Sequence, residues 1–402
     1  MSAIENDRFI GQQIKVYRRI RNLTQQRLAD HLGISRSAIA LYETGRRPID
    51  SRELLYGLAE ALQVSIGDLT GHREDKTNPS VAAFHTQVPR IEAAMMSAGH
   101  ADDTAEPTPL EQLAADTQRA LKFRMKNDYA RLGGLLPNLL HDLYRHTVGG
   151  HEDQQTRAWE VLTRATFVTA LATKGFGYTS LAWNAARASF EAARIVGDPS
   201  GLAAAEFARS QVLLSTPGTL GAALAYSADG ADRLQGELRT PSQLELYGML
   251  HLQAALTSAA VGKDPAPHLA EAVDTARRSG DGSAFELAFG PENVAVWQMS
   301  VANERRRAGD ALTAARTVHP ESIGIEDRKS RYFIELGRAH VMLKDYGAAM
   351  SALLRAEHVA PQQVRSRTIV RELVGHMMRT ARRDLASGPL GQLAQRVGAL
   401  PA

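Results

Sequence analysis

Apolar residues Ile10, Ile14, Tyr17 and Ile20 recur at steps of three and four, with Lys15, Arg18, Arg19 and Arg21 mostly between them, the spacing of an amphipathic helix. Asn22 can take the left-handed conformation that ends such a helix. Thr24 can then cap a second one, whose inner face is Leu28, Ala29 and Leu32. Gly33 supplies a positive φ, Ile34 plugs the turn, and the Ser35 hydroxyl can accept a hydrogen bond from an exposed amide at the start of a third helix, Arg36 to Thr44. Gly45 stops that helix, and Arg46-Arg47-Pro48 makes a basic loop. Ser51 caps a fourth helix with Leu54, Leu55, Leu58, Ala61 and Leu62 inward, and a short fifth helix near Ser65 to Leu69 closes the domain.

Two helices joined by so tight a turn can bury only part of the third, through Ile39 and Tyr42. Arg36, Ser37, Ala40 and Leu41 stay on its free side, within a helix about 14 Å long, a length that fits a DNA major groove.

From His72 to Pro109 the periodicity breaks at Pro79, Pro89, Gly99, Pro107 and Pro109, with an acidic patch at Asp102, Asp103 and Glu106. A helix is expected from Arg90 to Ala98, with Pro89 at its first position, so residues 72–109 read as a jointed tether that lets the head be repositioned. Alanine-rich amphipathic segments with Gly, Pro and Asp stops then run from Leu110 to Leu400, almost without strand signals. Phe333, Leu336, Gly337, His340, Ala349, Leu353, Ala356 and Pro361 have tetratricopeptide-repeat spacing, with histidine where tyrosine is commoner. Ala186, Phe190 and Ala193 repeat the second-helix spacing, and degenerate units are expected near 200–235, 241–279 and 283–318. One such unit cannot bury its own face, so at least three must stack into a curved superhelix.

Composition narrows the function classes. The 402 residues exceed what one core usually organises, with 44% apolar and 23% charged residues. No apolar run approaches the roughly 18 residues of a membrane helix. The opening MSAIENDRF lacks the marks of a secretory signal, so the cytoplasm is the expected compartment. With no cysteine there is no disulfide, thiolate metal site or cysteine nucleophile. The net charge of +3 is uneven: between Arg8 and Arg52 ten basic residues face three acids, a local net of +7.

The run Leu23 to Pro48, LTQQRLADHLGISRSAIALYETGRRP, resembles the XRE or phage-repressor family of helix-turn-helix domains over roughly residues 9 to 70. The resemblance implies that Gln25 anchors a phosphate at a helix N-terminus, that Arg36 and Ser37 read bases, and that Thr44 and Arg46, with Arg47 beside them, contact the DNA backbone. It also implies that Glu43 pairs with Arg18 and braces the fold. Ala40 and Leu41 depart from the pattern, which favours serine and a polar residue there; Leu41 can instead meet a thymine methyl. Joined to tetratricopeptide-like repeats, such a head resembles the peptide-pheromone receptors of Gram-positive bacteria and a set of actinobacterial XRE regulators. Phe289-Gly290-Pro291-Glu292-Asn293-Val294 and the region Glu357 to Glu372 look particularly like the latter.

Asn184, Asn293 and Asn303 fall on predicted helices although asparagine is a poor helix former, and an amide can pair with an extended peptide. They are candidate effector contacts, with Trp183 and Trp297 as apolar neighbours, though a capping or core role suits the same residues. His141, His146 and His151, five apart, scatter around a helix, so no metal site is expected. No cofactor is expected either: there is no phosphate loop, Gly-x-Ser-x-Gly or carboxylate pair, and catalysis has no visible support.

The expectation is an all-α chain: a five-helix repressor-like helix-turn-helix domain over 1–71, a linker over 72–109, and a tetratricopeptide-like superhelix over 110–402 that senses and dimerises. Its expected role is a homodimeric transcription regulator on palindromic double-stranded DNA, modulated by a peptide, small-molecule or protein effector. The alternative is a protein-interaction adaptor whose head merely locates it on DNA.

Overall fold

Thr24, Ser35 and Ser51 punctuate the N-terminal helices as their chemistry requires: each has extended backbone, and each hydroxyl oxygen accepts from an otherwise orphaned amide, of Arg27, Ala38 and Leu54 respectively. In the computed structural model, which describes residues 10–64, 66–70, 79–96, 106–149, 151–380 and 388–399, the resulting helices are α1 (Ile10–Ile20), α2 (Gln25–His31), α3 (Arg36–Glu43), α4 (Arg52–Leu62) and α5 (Ile66–Thr70). Asn22 is left-handed, as is Gly33, at φ 53° and 63°. Ile10, Ile14, Leu28, Ile39, Leu58, Leu62 and Leu69 form the core of this head. Ile20, expected on the inner stripe of α1, is 59% exposed, because the chain turns away at Asn22 before that last turn can be covered. Ser65, expected to open α5, lies outside the described residues.

The remaining helices are α6 (Pro79–Met96), α7 (Leu110–Met125), α8 (Tyr129–Val148), α9 (Glu152–Gly175), α10 (Thr179–Val196), α11 (Pro199–Leu213), α12 (Leu220–Gln235), α13 (Pro241–Ala260), α14 (Ala266–Ser279), α15 (Pro291–Glu304), α16 (Ala308–Ala315), α17 (Glu326–Met342), α18 (Tyr346–Val359), α19 (Pro361–Ser366), α20 (Thr368–Thr380) and α21 (Pro389–Arg396). Among the described residues no strand forms beyond one isolated bridge between Gly282 and Phe289. The chain is all-α, and its degenerate repeat units are helix pairs: α11–α12, α13–α14 and α15–α16. The clearest unit is α17–α18, where a Cβ on Gly337 would lie 3.0 Å from Leu353, so the glycine is what lets the two helices approach.

Two compact units result. One comprises residues 1–75, 259–263 and 295–402; the other comprises 76–258 and 264–294. In the second unit α6 corrects an expectation. The helix begins ten residues before Pro89, which sits in its interior, and it is packed rather than free: Val81, Phe84, Val88 and Ile91 are buried, and the Phe84 ring lies 4.7 Å from that of Phe176. The acidic patch residues Asp102 and Asp103 lie outside the described residues.

From Val161 to Thr173 helix α9 is buried or half-buried on every side, and four of its buried residues are threonines. Each hydroxyl donates to a carbonyl one turn back, Thr163 to Trp159, Thr166 to Leu162, Thr169 to Ala165 and Thr173 to Thr169, which satisfies them without an outside partner. Helix α13 runs close to Phe289 at Gly248, where a Cβ would fall inside the ring's van der Waals surface. In an open helix Gly→Ala gains up to about 1 kcal/mol. Here Gly248→Ala should instead destabilise by about 1–3 kcal/mol in chemical unfolding, and Phe289→Leu should recover part of that loss. A stabilised Gly248→Ala protein would contradict this packing.

Candidate nucleic-acid interface

The third helix is braced from behind and open in front. Behind it, Glu43 is buried and accepts from Arg18 Nη2 and Gln25 Nε2, both at 2.9 Å, while Arg18 Nη1 donates to the Leu23 carbonyl at 2.8 Å. Burial alone would raise the Glu43 carboxyl; the hydrogen bonds from Arg18 and Gln25, with the Arg18 charge, outweigh it and hold it below the usual carboxylate range. One carboxylate thus ties α1, α2 and α3 together. Gln25, expected as a phosphate anchor, has its amide donor on Glu43 and is half-buried.

In front, Arg36, Ser37, Leu41, Thr44 and Arg46 are exposed and Ala40 is half-buried among them. Ser35 and Ser37 share a hydrogen bond of 2.9 Å, which fixes the first turn. Leu41 is 38% exposed, an apolar side chain on an otherwise polar face. Thr44 donates to the Ala40 carbonyl at 2.8 Å, and Arg47 stands 5.2 Å over the Tyr42 ring, half-buried. The four residues expected to read bases and the four expected to touch the backbone therefore belong to α3, its exit loop and the start of α2.

Within the same compact unit, that exit loop is held by α15 and α17. Arg306 pairs with the buried Asp50 carboxylate, and Arg338 Nη2 donates to the Asp50 carbonyl at 2.6 Å. Glu304 accepts from the Arg52 amide at 2.6 Å, from Arg52 Nη1 at 3.0 Å and from Arg338 Nη2 at 3.4 Å. Arg338 Nη1 reaches Glu335 at 2.9 Å. On α20, His376 Nδ1 lies 3.1 Å from the Gly45 carbonyl. Burial works against charge on Glu335, but Arg338 and Arg331, with the Asn303 amide, hold it below the usual carboxylate range. Nothing local in the sequence signals this network, since its partners are 32 to 331 residues apart, the one-turn pair Glu335–Arg338 excepted. Its one visible sign is the placement of Arg338 beside Gly337, at the close helix contact.

The effector candidates do not converge. Asn303 is buried, and its amide donates to the Glu335 carbonyl and carboxylate, both at 2.8 Å. Asn293 is buried and donates to the Ala288 carbonyl at 3.0 Å. Asn184 is exposed, Trp183 is half-buried 6.0 Å from the Tyr226 ring, and Trp297 is 2% exposed. The buried asparagines donate to acceptors outside their own helix, Asn303 to α17 and Asn293 to the loop before α15. Among the described residues no helix is long and apolar enough to cross a membrane.

A structure of Bacillus thuringiensis PlcR in complex with the peptide PapR7 and DNA is similar at 11% identity and a TM-score of 0.30, over 86% of this chain and 99% of that one. ComR from S. thermophilus in complex with DNA and its signalling peptide ComS is similar at 11% identity and a TM-score of 0.24, over 92% and 99%. Likeness this distant identifies neither ligand nor partner. No curated protein matches the chain significantly. Residues 10–72 match the helix-turn-helix domain family, so the head that holds the braced, outward-facing α3 is a helix-turn-helix domain.

Proposed function

We propose that the chain is a sequence-specific DNA-binding transcription regulator that acts as a homodimer on a palindromic operator, its DNA binding modulated by an effector held by the tetratricopeptide-like helices. The observation that carries this reading is the exposure of Arg36, Ser37 and Leu41 on one face of a helix whose opposite face is fixed by Glu43. Arg36 reaches a base edge, a bidentate guanine contact being the natural use of its fork. Arg46 and Thr44, at the C-terminal end, meet phosphates. Gln25, already bonded to Glu43, positions the α2 amides and joins the backbone contacts through that end of the helix. A single helix of eight residues reads few bases, so two copies about one DNA turn apart supply the specificity.

The test is selection of bound fragments from the source genome with purified protein, with and without cell extract, followed by titration of the selected site. Arg36→Ala should weaken binding by about 1–3 kcal/mol, roughly 5- to 150-fold, and relax preference at one position of each half-site. Arg46→Ala should weaken all sequences alike and flatten the salt dependence by about one phosphate contact. Sequence-blind binding by the parent protein would instead favour an adaptor that the head merely places on DNA.

A further inference from the structure

Arginine 331, on α17, is placed differently from its neighbours. Its guanidinium lies 4.3 Å from the centre of the Trp297 ring, its Nε is buried without a hydrogen-bond partner, and among the described residues it forms no ion pair. The carboxylates around it are committed: Glu335 to Arg338, Glu304 to Arg52 and Arg338, and Asp50 to Arg306. Asp327, one turn earlier, is the further acid within electrostatic reach, while Arg367 and Arg52 add positive charge. Five arginines therefore share this region with four acids. Arg209 gives the contrast: it too rests on aromatic rings and has a buried, unpartnered Nε, but it is paired with Glu206 and bonded to the Tyr226 hydroxyl.

Glu335 and Asp327 act on Arg331 only through space, and among the described residues no carboxylate pairs with it directly; a half-buried cation held this way is costly unless a partner meets its free edge. Burial, together with the charges of Arg367 and Arg52, pushes Arg331 down to about 10, still cationic at neutral pH. A planar guanidinium stacked on an indole keeps its edge free for a two-pronged contact with an oxyanion.

We propose that Arg331, with Trp297 as its floor and Arg367 beside it, binds an oxyanion, the carboxylate or phosphate group of the effector. This rests on the reading of the chain as an effector-modulated regulator, and it names the chemistry that the effector must carry. The site lies one turn from Glu335 and two turns from Arg338, so its occupancy bears on the contacts that hold Asp50 and Arg52 of the head.

The experiment uses the full chain and three probes at constant ionic strength: inorganic phosphate, succinate, and chloride as the reference. Calorimetric titration, tryptophan fluorescence and the thermal midpoint are followed for the parent, Arg331→Leu and Arg331→Lys. Phosphate or succinate should raise the midpoint of the parent above that in chloride and alter its tryptophan emission. Arg331→Leu should lose at least tenfold in affinity and show no such shift, with Arg331→Lys intermediate. Without anion Arg331→Leu should melt no lower than the parent, since it removes a half-buried charge that no carboxylate pairs directly; that outcome keeps the variant interpretable. A response to phosphate alone assigns a phosphate-bearing effector, and a response to succinate alone a carboxylate. The same response in parent and Arg331→Leu, or none in either, overturns the site. Binding that leaves operator affinity unchanged keeps the site and refutes the effector reading instead.

Discussion

Replacing Arg338 by methionine should cost about 3–5 kcal/mol of stability, the largest effect expected of a single substitution in the chain. The side chain is 5% exposed and bonds to Glu335, Glu304 and the Asp50 carbonyl together. Methionine matches its length and packs well, so the loss arises from what remains: two enclosed carboxylates short of a cation and one carbonyl short of a donor. Glu335→Gln in the Arg338→Met background should recover part of it, because removing both charges leaves less uncompensated than removing one. Hydrogen exchange supplies the local readout. Amides of the loop from Gly45 to Arg52, tied to α15, α17 and α20 in the parent, should exchange faster in Arg338→Met, while those of α2, braced by Glu43, should change little. A cost below about 1 kcal/mol, or uniform loss of protection across the head, would mean that Arg338 does not hold the loop.

The contrast between Arg338 and Glu43 also explains what was legible in the sequence. Caps are local chemistry, so Thr24, Ser35 and Ser51 could be placed from a hydroxyl and the residues that follow it. The open face of α3 follows from a packing argument: a third helix whose Ile39 and Tyr42 are buried leaves Arg36, Ser37 and Leu41 outside. The Glu43–Arg18 brace came from a resemblance, since no spacing rule links residues 25 apart. Helix α6 shows a different limit. Val81, Phe84, Val88, Ile91 and Ala94 carry a helical period through Pro89, while a proline taken by itself marks a helix start. A proline inside a helix costs about 3 kcal/mol, and the burial of Phe84 and its neighbours on one face outweighs it while the ring of Pro89 stays exposed.

Asparagine on a helix posed the opposite problem. Low propensity at Asn293 and Asn303 suggested a ligand, whereas both amides satisfy acceptors of the fold itself. Propensity registers that a residue is there for some partner; it does not say whose atom the partner is. The same holds for the charges of α17, where Arg331 and Arg338 look alike in sequence. One is the centre of a network and the other has no acid of its own, a difference created by residues on α15 and in the head.

Lowering the pH from 7 to 4.5 should remove up to about 3 kcal/mol of stability through His251 alone. Its Nε2 is buried without a partner and its Nδ1 lies 3.0 Å from Nδ1 of His268, so one imidazole donates, the other accepts, and among the described residues neither forms an ion pair with a carboxylate. Burial first, and the neighbouring His268 second, depress His251 from 6.5 to about 4. Burial lowers His268 as well, opposed by Asp232; Tyr247, 4.5 Å away ring to ring, is pushed up to about 12 by burial and by Glu271 and stays neutral throughout. A histidine whose folded value lies below its unfolded one takes up its proton first in the unfolded chain. Its contribution is therefore complete above about pH 6.5 and drains away as the pH falls toward 4. Glu206 and Glu372, which burial raises, act in the opposite sense but are common to parent and variant. Urea midpoints measured at half-unit steps should fall more steeply in the parent than in His251→Leu, with the two curves converging toward the acid end of the range. Parallel curves would show that the imidazole gains a proton partner on folding, and the enclosure of His251 between α13 and α14 would then have to be looser than its buried Nε2 implies.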